Sequence, residues 1–283
     1  MKIKNPEVFD NQRFLLVFDL DGTLLNSDKD IEPKTKALLL ELKKLGNMIT
    51  IASGRPPRAV VPYLDKLGLS LPCICYNGAE ILNPKDPSFA PIRTYYRKEE
   101  ILEFLKRAKE SSFTNIMAED DKDLYYLAPN KFFDFFFHPQ GMNLKIGSLE
   151  KNLNEDILTC VIQSPDTSRN EELSNILTSI NPTLWIRFWY DCPTFGEFSH
   201  FDINKSTGIA LLAKRLGFDH QHILSFGDAT NDIEMIAKAG IGFAMKNGSD
   251  KLKEVASYTT RRTNDDEGIY QALVDFFRLD IED

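Results

Sequence analysis

The sequence predicts an α/β protein with a Rossmann-like core, in which a parallel sheet carries helices on both faces and a second, α+β domain is inserted. Two observations support this prediction. Apolar strand-like runs alternate with helical segments near the start of the chain and again from about residue 200. The stretch between them contains more strand-like runs and more aromatic residues. We therefore predict a discontinuous core domain of residues 1–83 and 197–283, with residues 84–196 as the inserted domain.

The first third of the chain alternates strands with helices. The predicted strands cover residues 13–19, 47–53 and 72–78. A first helix is expected from Pro33 to Gly46, because proline favours the first turn of a helix and glycine its end. A second helix is expected at residues 58–68. This β-α-β-α-β order is typical of a parallel sheet with right-handed crossovers.

The rest of the chain divides into two segments with different predicted secondary structure. In the inserted segment, the predicted helices cover residues 98–111, 130–138 and 168–180, and the predicted strands cover residues 114–120, 123–128, 156–164, 183–191 and 194–202. In the C-terminal segment, the predicted helices cover residues 205–217, 230–240 and 267–277, and the predicted strands cover residues 222–228, 241–245 and 257–261. We expect the aromatic run at 130–138 to pack in the core of the inserted domain.

Charge and composition argue against several kinds of partner. The chain carries a formal net charge of -8 and has no long stripe of lysine and arginine, so we expect no nucleic-acid partner. No segment approaches the ~20 apolar residues that a membrane helix needs, so we expect no membrane partner. The four cysteines form no Cys-x-x-Cys pair, which favours reduced thiols in a cytoplasmic protein.

Polar side chains follow several predicted strands at the point where each strand ends. In open α/β sheets, functional residues gather at the carboxyl ends of the strands. The first strand ends in Asp19 and Asp21, and Gly22 lets the chain turn away at once. The other elements deliver Ser53, Gly54 and Arg55 after the second strand, Lys205 at the start of a helix, and Asp228, Asn231 and Asp232 after the strand at 222–227.

This set of side chains suggests a site for a metal ion and a phosphate. Carboxylates that are crowded together repel one another, and burying them without a partner is costly. Mg²⁺ resolves that conflict, and it typically binds one or two carboxylates together with a substrate phosphate. The hydroxyl of Ser53, the amide of Gly54 and the ammonium group of Lys205 are suitable ligands for that phosphate.

The chain resembles the haloacid dehalogenase-like superfamily of phosphohydrolases. The resemblance rests, in chain order, on DLDGT at 19–23, SGR at 53–55, a lysine that opens a helix, and GDATND at 227–232. The motif YNGA at 76–79 and the large insertion before Lys205 resemble the Cof-type subgroup, which carries an α/β cap domain at this place. The resemblance thus implies that residues 84–196 form a cap domain.

The resemblance also implies a Mg²⁺-dependent phosphomonoester hydrolysis through an aspartyl-phosphate. Asp19 would be the nucleophile, and Asp21 would be the general acid for the leaving alcohol and then the base for water. The Mg²⁺ ligands would be the side chains of Asp19 and Asp228 and the main-chain carbonyl of Asp21. The substrate would be a small phosphorylated metabolite, such as a sugar phosphate.

The same resemblance assigns further residues to the phosphoryl group and the substrate. The phosphoryl oxygens would be held by the amides of Leu20 and Gly54, the hydroxyl of Ser53, the ammonium group of Lys205 and the side chain of Asn231. Asp232 would orient Lys205 or a metal-bound water. Asn77 and Gly78 would lie on the substrate side, or would form only a tight turn. Arg55 is a further substrate-side candidate, which could instead pair with a carboxylate of the cap.

Two other functions stay open at this point. A phosphomutase or phosphotransferase would use the same aspartyl-phosphate but pass the phosphoryl group to another alcohol instead of water. A phospho-accepting signalling module would combine a strand-end aspartate with Mg²⁺, a hydroxyl and a lysine, but it does not account for Asp21 or for the inserted domain. A nucleotide-binding dehydrogenase is excluded, because no Gly-x-Gly-x-x-Gly follows a strand. The oligomeric state stays open.

Overall fold

The computed structural model of the chain describes residues 1–10, 12–108 and 113–282. The chain forms two compact units: Met1–Pro91 with Lys205–Asp283 is the core unit, and Ile92–Asn204 is the inserted unit. Both boundaries lie eight residues further along the chain than the predicted ones. The second boundary shifts because the strand at Phe195–His200 pairs within the inserted unit and so extends that unit past residue 197.

Among the described residues, the N-terminal part of the core unit forms five strands and two α-helices. They are β1 (Lys2–Ile3), β2 (Leu15–Phe18), α1 (Pro33–Lys44), β3 (Met48–Ile51), α2 (Pro57–Lys66), β4 (Cys73–Cys75) and β5 (Glu80–Leu82). Pro33 and Pro57 each occupy the first turn of a helix, where the missing N–H has no intrahelical acceptor to lose. Both helices predicted for this part of the chain are therefore confirmed.

The inserted unit is built on a six-stranded sheet. Its elements are β6 (Ile92–Arg93), α3 (Lys98–Ala108), β7 (Asn115–Glu119), β8 (Asp123–Tyr126), α4 (Lys131–Phe137), β9 (Asn143–Ile146), α5 (Leu149–Asn152), β10 (Thr159–Gln163), α6 (Asn170–Ile180), β11 (Leu184–Phe188) and β12 (Phe195–His200). The strand order is β11-β12-β10-β7-β8-β9. Neighbouring strands are antiparallel except β8 and β9, which are parallel. The predicted helix residues 109–111 lie outside the described residues.

The aromatic run of the inserted unit forms part of its core, as predicted. The side chain of Asn130 accepts hydrogen bonds from the backbone N–H groups of Phe132 and Phe133, which caps α4 at its start. Phe133 and Phe137 are buried against the sheet, in a cluster that includes Tyr126. The residues of KFFDFFF are thus used mainly for packing.

The C-terminal part of the core unit returns to alternating helices and strands. Its elements are α7 (Lys205–Leu216), β13 (Ile223–Gly227), α8 (Ile233–Lys238), β14 (Ile241–Ala244), α9 (Asp250–Val255), β15 (Tyr258–Thr259), α10 (Gly268–Phe277) and β16 (Ile281–Glu282). β16 pairs antiparallel with β1, so the two ends of the described chain meet in a small separate sheet.

The core unit contains a parallel sheet of five strands in the order β15-β14-β13-β2-β3. Every neighbouring pair in it is parallel, which confirms the predicted α/β fold. β2 and β13 are buried along their whole length, as central strands of such a sheet are. β4, the third strand predicted from the sequence, is linked to this sheet by an isolated parallel bridge between Ala52 and Ile74.

The sequence prediction omitted several short elements, each of six residues or fewer. These are β1, β5, β6, β9, β16, α5 and α9. Cys73 and Cys75 lie on one face of β4, with their Sγ atoms 3.8 Å apart, and both are buried free thiols. None of the described helices has an apolar stretch long enough to cross a membrane. The cytoplasmic location stays a prediction.

Candidate active site

The carboxyl ends of β2 and β13 lie side by side, and an aspartate follows each of them. Phe18 is paired in register with Phe226, so the chain delivers Asp19 and Asp228 to the same edge of the sheet. The backbone N–H of Asp19 donates to the carbonyl of Phe226 at 3.0 Å. Carboxylate oxygens of Asp19, Asp228 and Asp232 lie within 4.8 Å of one another. Parallel register therefore brings together carboxylates that are more than 200 residues apart in the sequence.

One ammonium group connects two of these carboxylates. Nζ of Lys205 donates to Oδ1 of Asp19 at 2.5 Å and to Oδ1 of Asp232 at 2.6 Å. Lys205 and Asp232 are fully buried, and Asp19 is nearly so. Burial alone would lower the pKa of Lys205, but the charges of the two aspartates raise it above its usual value. Lys205 is therefore a fixed cation at the start of α7.

Asp232 also binds the backbone that leads to α8. Its Oδ2 accepts the N–H of Asp228 at 3.0 Å and that of Ala229 at 3.1 Å. A Cβ placed on Gly227 would lie 2.6 Å from the Cβ of Asp232, so this packing requires glycine there. Both oxygens of Asp232 are thus occupied, one by Lys205 and one by the loop. The geometry suits an orienting residue, which is the role expected from the sequence.

The three carboxylates carry more negative charge than Lys205 can compensate. Burial, the largest cause, raises the pKa of Asp19 to about 7. Burial and then repulsion from Asp19 raise the pKa of Asp228 well above its usual value. Such shifts arise when buried carboxylates lack sufficient counter-charge. A divalent cation would supply that charge, and carboxylate oxygens are the ligands that Mg²⁺ prefers. The residues present therefore fit such an ion, with Asp19 and Asp228 as its side-chain ligands.

Gly22 and Thr23 hold the carboxylate of Asp228 in place. Oγ1 of Thr23 donates to Oδ1 of Asp228 at 2.7 Å. Gly22 has a φ of +74°, and a Cβ at this position would overlap the carboxylate of Asp228. The left-handed backbone and the close approach both require glycine. Gly22 therefore does more than turn the chain, because it also makes room for a candidate metal ligand.

Asp21 is held by two cations. Nε and Nη2 of Arg55 donate to its Oδ2 and Oδ1, each at 2.6 Å, and Nζ of Lys29 donates to Oδ1 at 2.8 Å. Burial would raise the pKa of Asp21, but these hydrogen bonds and charges bring it below its usual value. The suggested pairing of Arg55 with a cap carboxylate is therefore corrected: its guanidinium binds Asp21 of its own unit, where planar bidentate geometry favours arginine.

The loop after β3 carries Ser53 and Gly54 directly before Arg55, which binds Asp21. The N–H of Ser53 donates to the carbonyl of Ile74 at 2.9 Å. Oγ of Ser53 accepts the N–H of Arg55 at 3.2 Å, a bond that does not use the hydroxyl's own hydrogen. The hydroxyl can therefore still donate to a ligand. Leu20, the other residue expected to offer an amide, has a fully buried side chain at the end of β2.

The turn at Tyr76–Gly78 reaches the same group of residues. Nδ2 of Asn231 donates to Oδ1 of Asn77 at 3.0 Å. Gly78 has a φ of +107°, and the turn is a short 3-10 turn, so the tight-turn interpretation is correct as far as it goes. Asn77 is 7% exposed, and its contact with Asn231 gives it a place beside the site as well. The substrate-side role of both residues stays a prediction.

Sequence analysis missed two residues of the site. Thr23 lies within the DLDGT motif, so its hydroxyl was visible as a signal, but nothing in the sequence showed that it points to Asp228. Lys29 follows Asp21 by eight residues, at no regular spacing, and it binds Asp21 from a loop in which its own backbone has a φ of +60°. The conformation of such a loop cannot be predicted from a pattern of residue types.

Substitution of Gly22 tests whether the carboxylate of Asp228 binds a divalent cation. Gly22→Ala should displace the carboxylate of Asp228 and so weaken the binding of a divalent cation. A ligand at 100 times its Kd stabilises a folded protein by about 2.7 kcal/mol. We expect Mg²⁺ to raise the thermal unfolding midpoint of the wild-type protein and to raise that of Gly22→Ala much less.

Gly217 provides the matched control. Its φ is +75°, nearly that of Gly22, but a Cβ there would meet no atom within 4 Å. Gly217→Ala should therefore incur the same backbone cost, about 1 kcal/mol, and keep the full response to Mg²⁺. An undiminished Mg²⁺ response in Gly22→Ala would show that Asp228 does not bind the ion in the position seen here.

Known proteins share both this sequence pattern and this fold. The sequence model of the haloacid dehalogenase-like hydrolases matches residues 16–273. The 5-amino-6-(5-phospho-D-ribitylamino)uracil phosphatase YitU of Bacillus subtilis (strain 168) is 30% identical over 270 residues, which cover 94% of this chain and 98% of that protein. A haloacid dehalogenase-like hydrolase from Bacteroides thetaiotaomicron has a TM-score of 0.77 and 25% identity, covering 94% of this chain and 100% of that one.

A further solved structure with the same fold is the subclass IIB sugar phosphatase BT4131, with a TM-score of 0.77 and 24% identity, covering 93% of this chain and 98% of that one. These similarities extend over nearly the whole chain, and they confirm the resemblance expected from the four motifs. The chain is an enzyme that belongs to the haloacid dehalogenase-like hydrolase family, in which its relative YitU is named a phosphatase.

Proposed function

We propose that this enzyme is a Mg²⁺-dependent phosphomonoester hydrolase that works through an aspartyl-phosphate on Asp19. The observation that carries the proposal is the group of carboxylates, Asp19, Asp228 and Asp232, around the buried ammonium group of Lys205. The group combines a carboxylate nucleophile, a fixed positive charge and ligands for a hard metal ion. Phosphoryl transfer depends on these parts, because it requires positioning and charge stabilisation.

Asp19 and Asp228 would hold the Mg²⁺ with their side chains, and the main-chain carbonyl of Asp21 would be a further ligand. When bound, the ion would neutralise the carboxylates and the substrate phosphate, which otherwise repel one another. Asp232 is better suited to orienting Lys205, because its two oxygens already accept hydrogen bonds from Lys205 and from the loop after β13.

In the first step, a carboxylate oxygen of Asp19 attacks the phosphorus atom. The new P–O bond to Asp19 forms while the ester P–O bond breaks, and the leaving oxygen keeps the electron pair of the broken bond. Lys205 would stabilise the charge on the transferring phosphoryl oxygens, because its ammonium group is fixed 2.5 Å from Asp19 in a buried site. The other phosphoryl ligands would be the amides of Leu20 and Gly54, the hydroxyl of Ser53 and the side chain of Asn231.

Asp21 would transfer the protons. It would give a proton to the leaving oxygen and then take one from the water that attacks the aspartyl-phosphate, which releases inorganic phosphate and restores Asp19. The hydrogen bonds from Arg55 and Lys29 favour the charged form of Asp21, which is the form that a base needs. The acid role requires a protonated Asp21, so these two contacts must weaken when an ester binds.

Substitution of the two aspartates should give different kinetics. Asp19→Asn should abolish the hydrolysis of every ester, because no nucleophile is left. Asp21→Asn should slow the first step with a sugar phosphate by ~10²–10⁴-fold, but slow it much less with an aryl ester, whose leaving group departs without a proton. Because the second step loses its base, the aryl ester should give a burst of phenol and then slow turnover, with phosphate trapped on Asp19.

Rapid-quench kinetics with mass mapping of the phosphopeptide would record this outcome. Equal losses for both esters in the first step, without a burst, would show that Asp21 does not transfer the protons. Hydrolysis that persists in Asp19→Asn would rule out the aspartyl-phosphate itself.

We expect the substrate to carry its phosphate on a polyhydroxylated carbon chain. The sequence resemblance indicated a sugar phosphate, and the relative YitU is named for a phosphorylated ribitylaminouracil. Both compounds are small phosphomonoesters of a chain of hydroxyl-bearing carbons. We further propose that the inserted unit acts as a cap that selects among them.

A panel of phosphate esters would test the proposed function. It should contain sugar phosphates of different lengths, a phosphorylated ribitylaminopyrimidine and an aryl phosphate, each assayed for phosphate release with Mg²⁺ and with a chelator. We expect release in Mg²⁺ only, and a preference for one of the two polyhydroxylated classes over the aryl ester. Full activity after exhaustive metal removal, or no release from any ester, would contradict the proposal.

A further inference from the structure

The turn Tyr76–Gly78 has an unusual backbone. Its three residues have positive φ angles of 48°, 52° and 107° in succession. Glycine adopts such angles without strain and asparagine tolerates them, but tyrosine rarely does. Strained backbone of this kind persists only where the surrounding structure enforces it, and it is often found at functional sites. The turn is therefore held in place by specific contacts.

Backbone hydrogen bonds tie the turn to the loop after β3. The N–H of Tyr76 donates to the carbonyl of Arg55 at 3.2 Å, and the N–H of Asn77 donates to the carbonyl of Ser53 at 3.0 Å. The turn is thus hydrogen-bonded to the loop that carries the expected phosphoryl ligands Ser53 and Gly54. Any movement of the turn would be transmitted to that loop.

The side chain of Asn77 connects this loop to a second ligand. Its Oδ1 accepts the hydrogen bond from Nδ2 of Asn231 at 3.0 Å. A Cβ placed on Gly54 would lie 3.0 Å from Nδ2 and 3.3 Å from Oδ1 of Asn77, so the amide lies directly against Gly54. Asn77 therefore fills the space between Gly54 and Asn231.

The helix that begins with Lys205 also contacts this turn. A Cβ placed on Gly208, one turn into α7, would lie 3.6 Å from the Cα of Gly78. The turn Tyr76–Gly78 therefore contacts the loop after β3, the side chain of Asn231 and α7. The loop and α7 each carry an expected phosphoryl ligand, and Asn231 is itself one.

We propose that Asn77 is a positioning residue for the phosphoryl group, and this proposal rests on the proposed function. Its side chain sets the distance between Asn231 and the loop at Ser53–Gly54, and its backbone holds that loop against α7. Asn77 acts through these neighbours. It needs no contact with the phosphoryl group for this role.

A purely conformational role would predict a different outcome. If asparagine were present only because it tolerates a positive φ, glycine would serve at least as well, since glycine adopts this angle more easily. Asn77→Gly keeps the turn and removes the amide side chain. This substitution therefore separates the positioning role from the conformational one.

The experiment compares Asn77→Gly with the wild-type enzyme in Mg²⁺. We expect the Kd of inorganic phosphate, measured by calorimetry, to rise about tenfold, and kcat/KM for an aryl phosphate to fall on the order of 10- to 100-fold, because small displacements in such a site are costly. The thermal unfolding midpoint should fall only slightly, because relief of the positive φ offsets part of the cost of the lost side chain. Unchanged phosphate affinity and kcat/KM would overturn the proposal, and so would losses that accompany a large fall in the midpoint.

Arg278 provides a matched control. It also has a φ of 52°, lies at the end of α10 and is exposed. Arg278→Gly should leave phosphate affinity and kcat/KM unchanged. A loss in this variant as large as that in Asn77→Gly would assign the effect to glycine in the backbone and overturn the proposal.

A double-mutant cycle tests whether Asn77 acts by holding the side chain of Asn231. If Asn77 acts partly by holding Asn231, the loss caused by Asn77→Gly should shrink several-fold in an Asn231→Ala background. Fully additive losses would contradict this route. Asp19→Asn, assayed in parallel, keeps the two proposals distinguishable: retained hydrolysis there contradicts the proposed function, whereas an inactive Asp19→Asn beside a fully active Asn77→Gly contradicts only the role of Asn77.

Discussion

Three carboxylates crowded around one buried ammonium group impose the main constraint on the core unit. Lys205 pairs with Asp19 and Asp232, and Asp228 lies close by, where its carboxylate accepts a hydrogen bond from the hydroxyl of Thr23. Burying a charge costs several kcal/mol unless the charge is well paired, so a group with more carboxylates than cations is a liability for folding. It persists because the packed parallel sheet fixes where the carboxylates lie. The charge that remains uncompensated suits a divalent cation and a phosphoryl group.

The backbone around this group is shaped by the same crowding. Gly22 and Gly227 stand where any side chain would collide with Asp228 or Asp232, and Gly54 stands where one would crowd Asn77. These glycines let the strand ends approach closely enough for their side chains to act on one bound group. Arg55 and Lys29 add positive charge around Asp21, which separates its electrostatic environment from that of Asp19. Two aspartates two residues apart can thus take different chemical roles.

Much of the core site could be predicted from the sequence, because parallel register sends the residue after each strand to one edge. Asp19, Ser53 and Asp228 follow apolar strands, so their meeting depends only on strand order. The partner of Arg55 and the contact of Lys29 depend on loop conformations that no period encodes. In the inserted unit the aromatic run was correctly assigned to packing. The short strand β9 and its parallel pairing were missed, since this edge strand is mostly exposed and has no buried apolar run.

The most direct test is the linkage between Mg²⁺ and phosphate in the wild-type enzyme. Calorimetric titration of inorganic phosphate should be made with the metal-free protein and with the protein saturated in Mg²⁺. If the excess negative charge around Asp19 keeps phosphate out until a cation binds, Mg²⁺ should tighten phosphate binding by about tenfold or more, and phosphate should tighten Mg²⁺ binding by the same factor. Phosphate that binds equally well in chelator and in Mg²⁺ would contradict this account of the site.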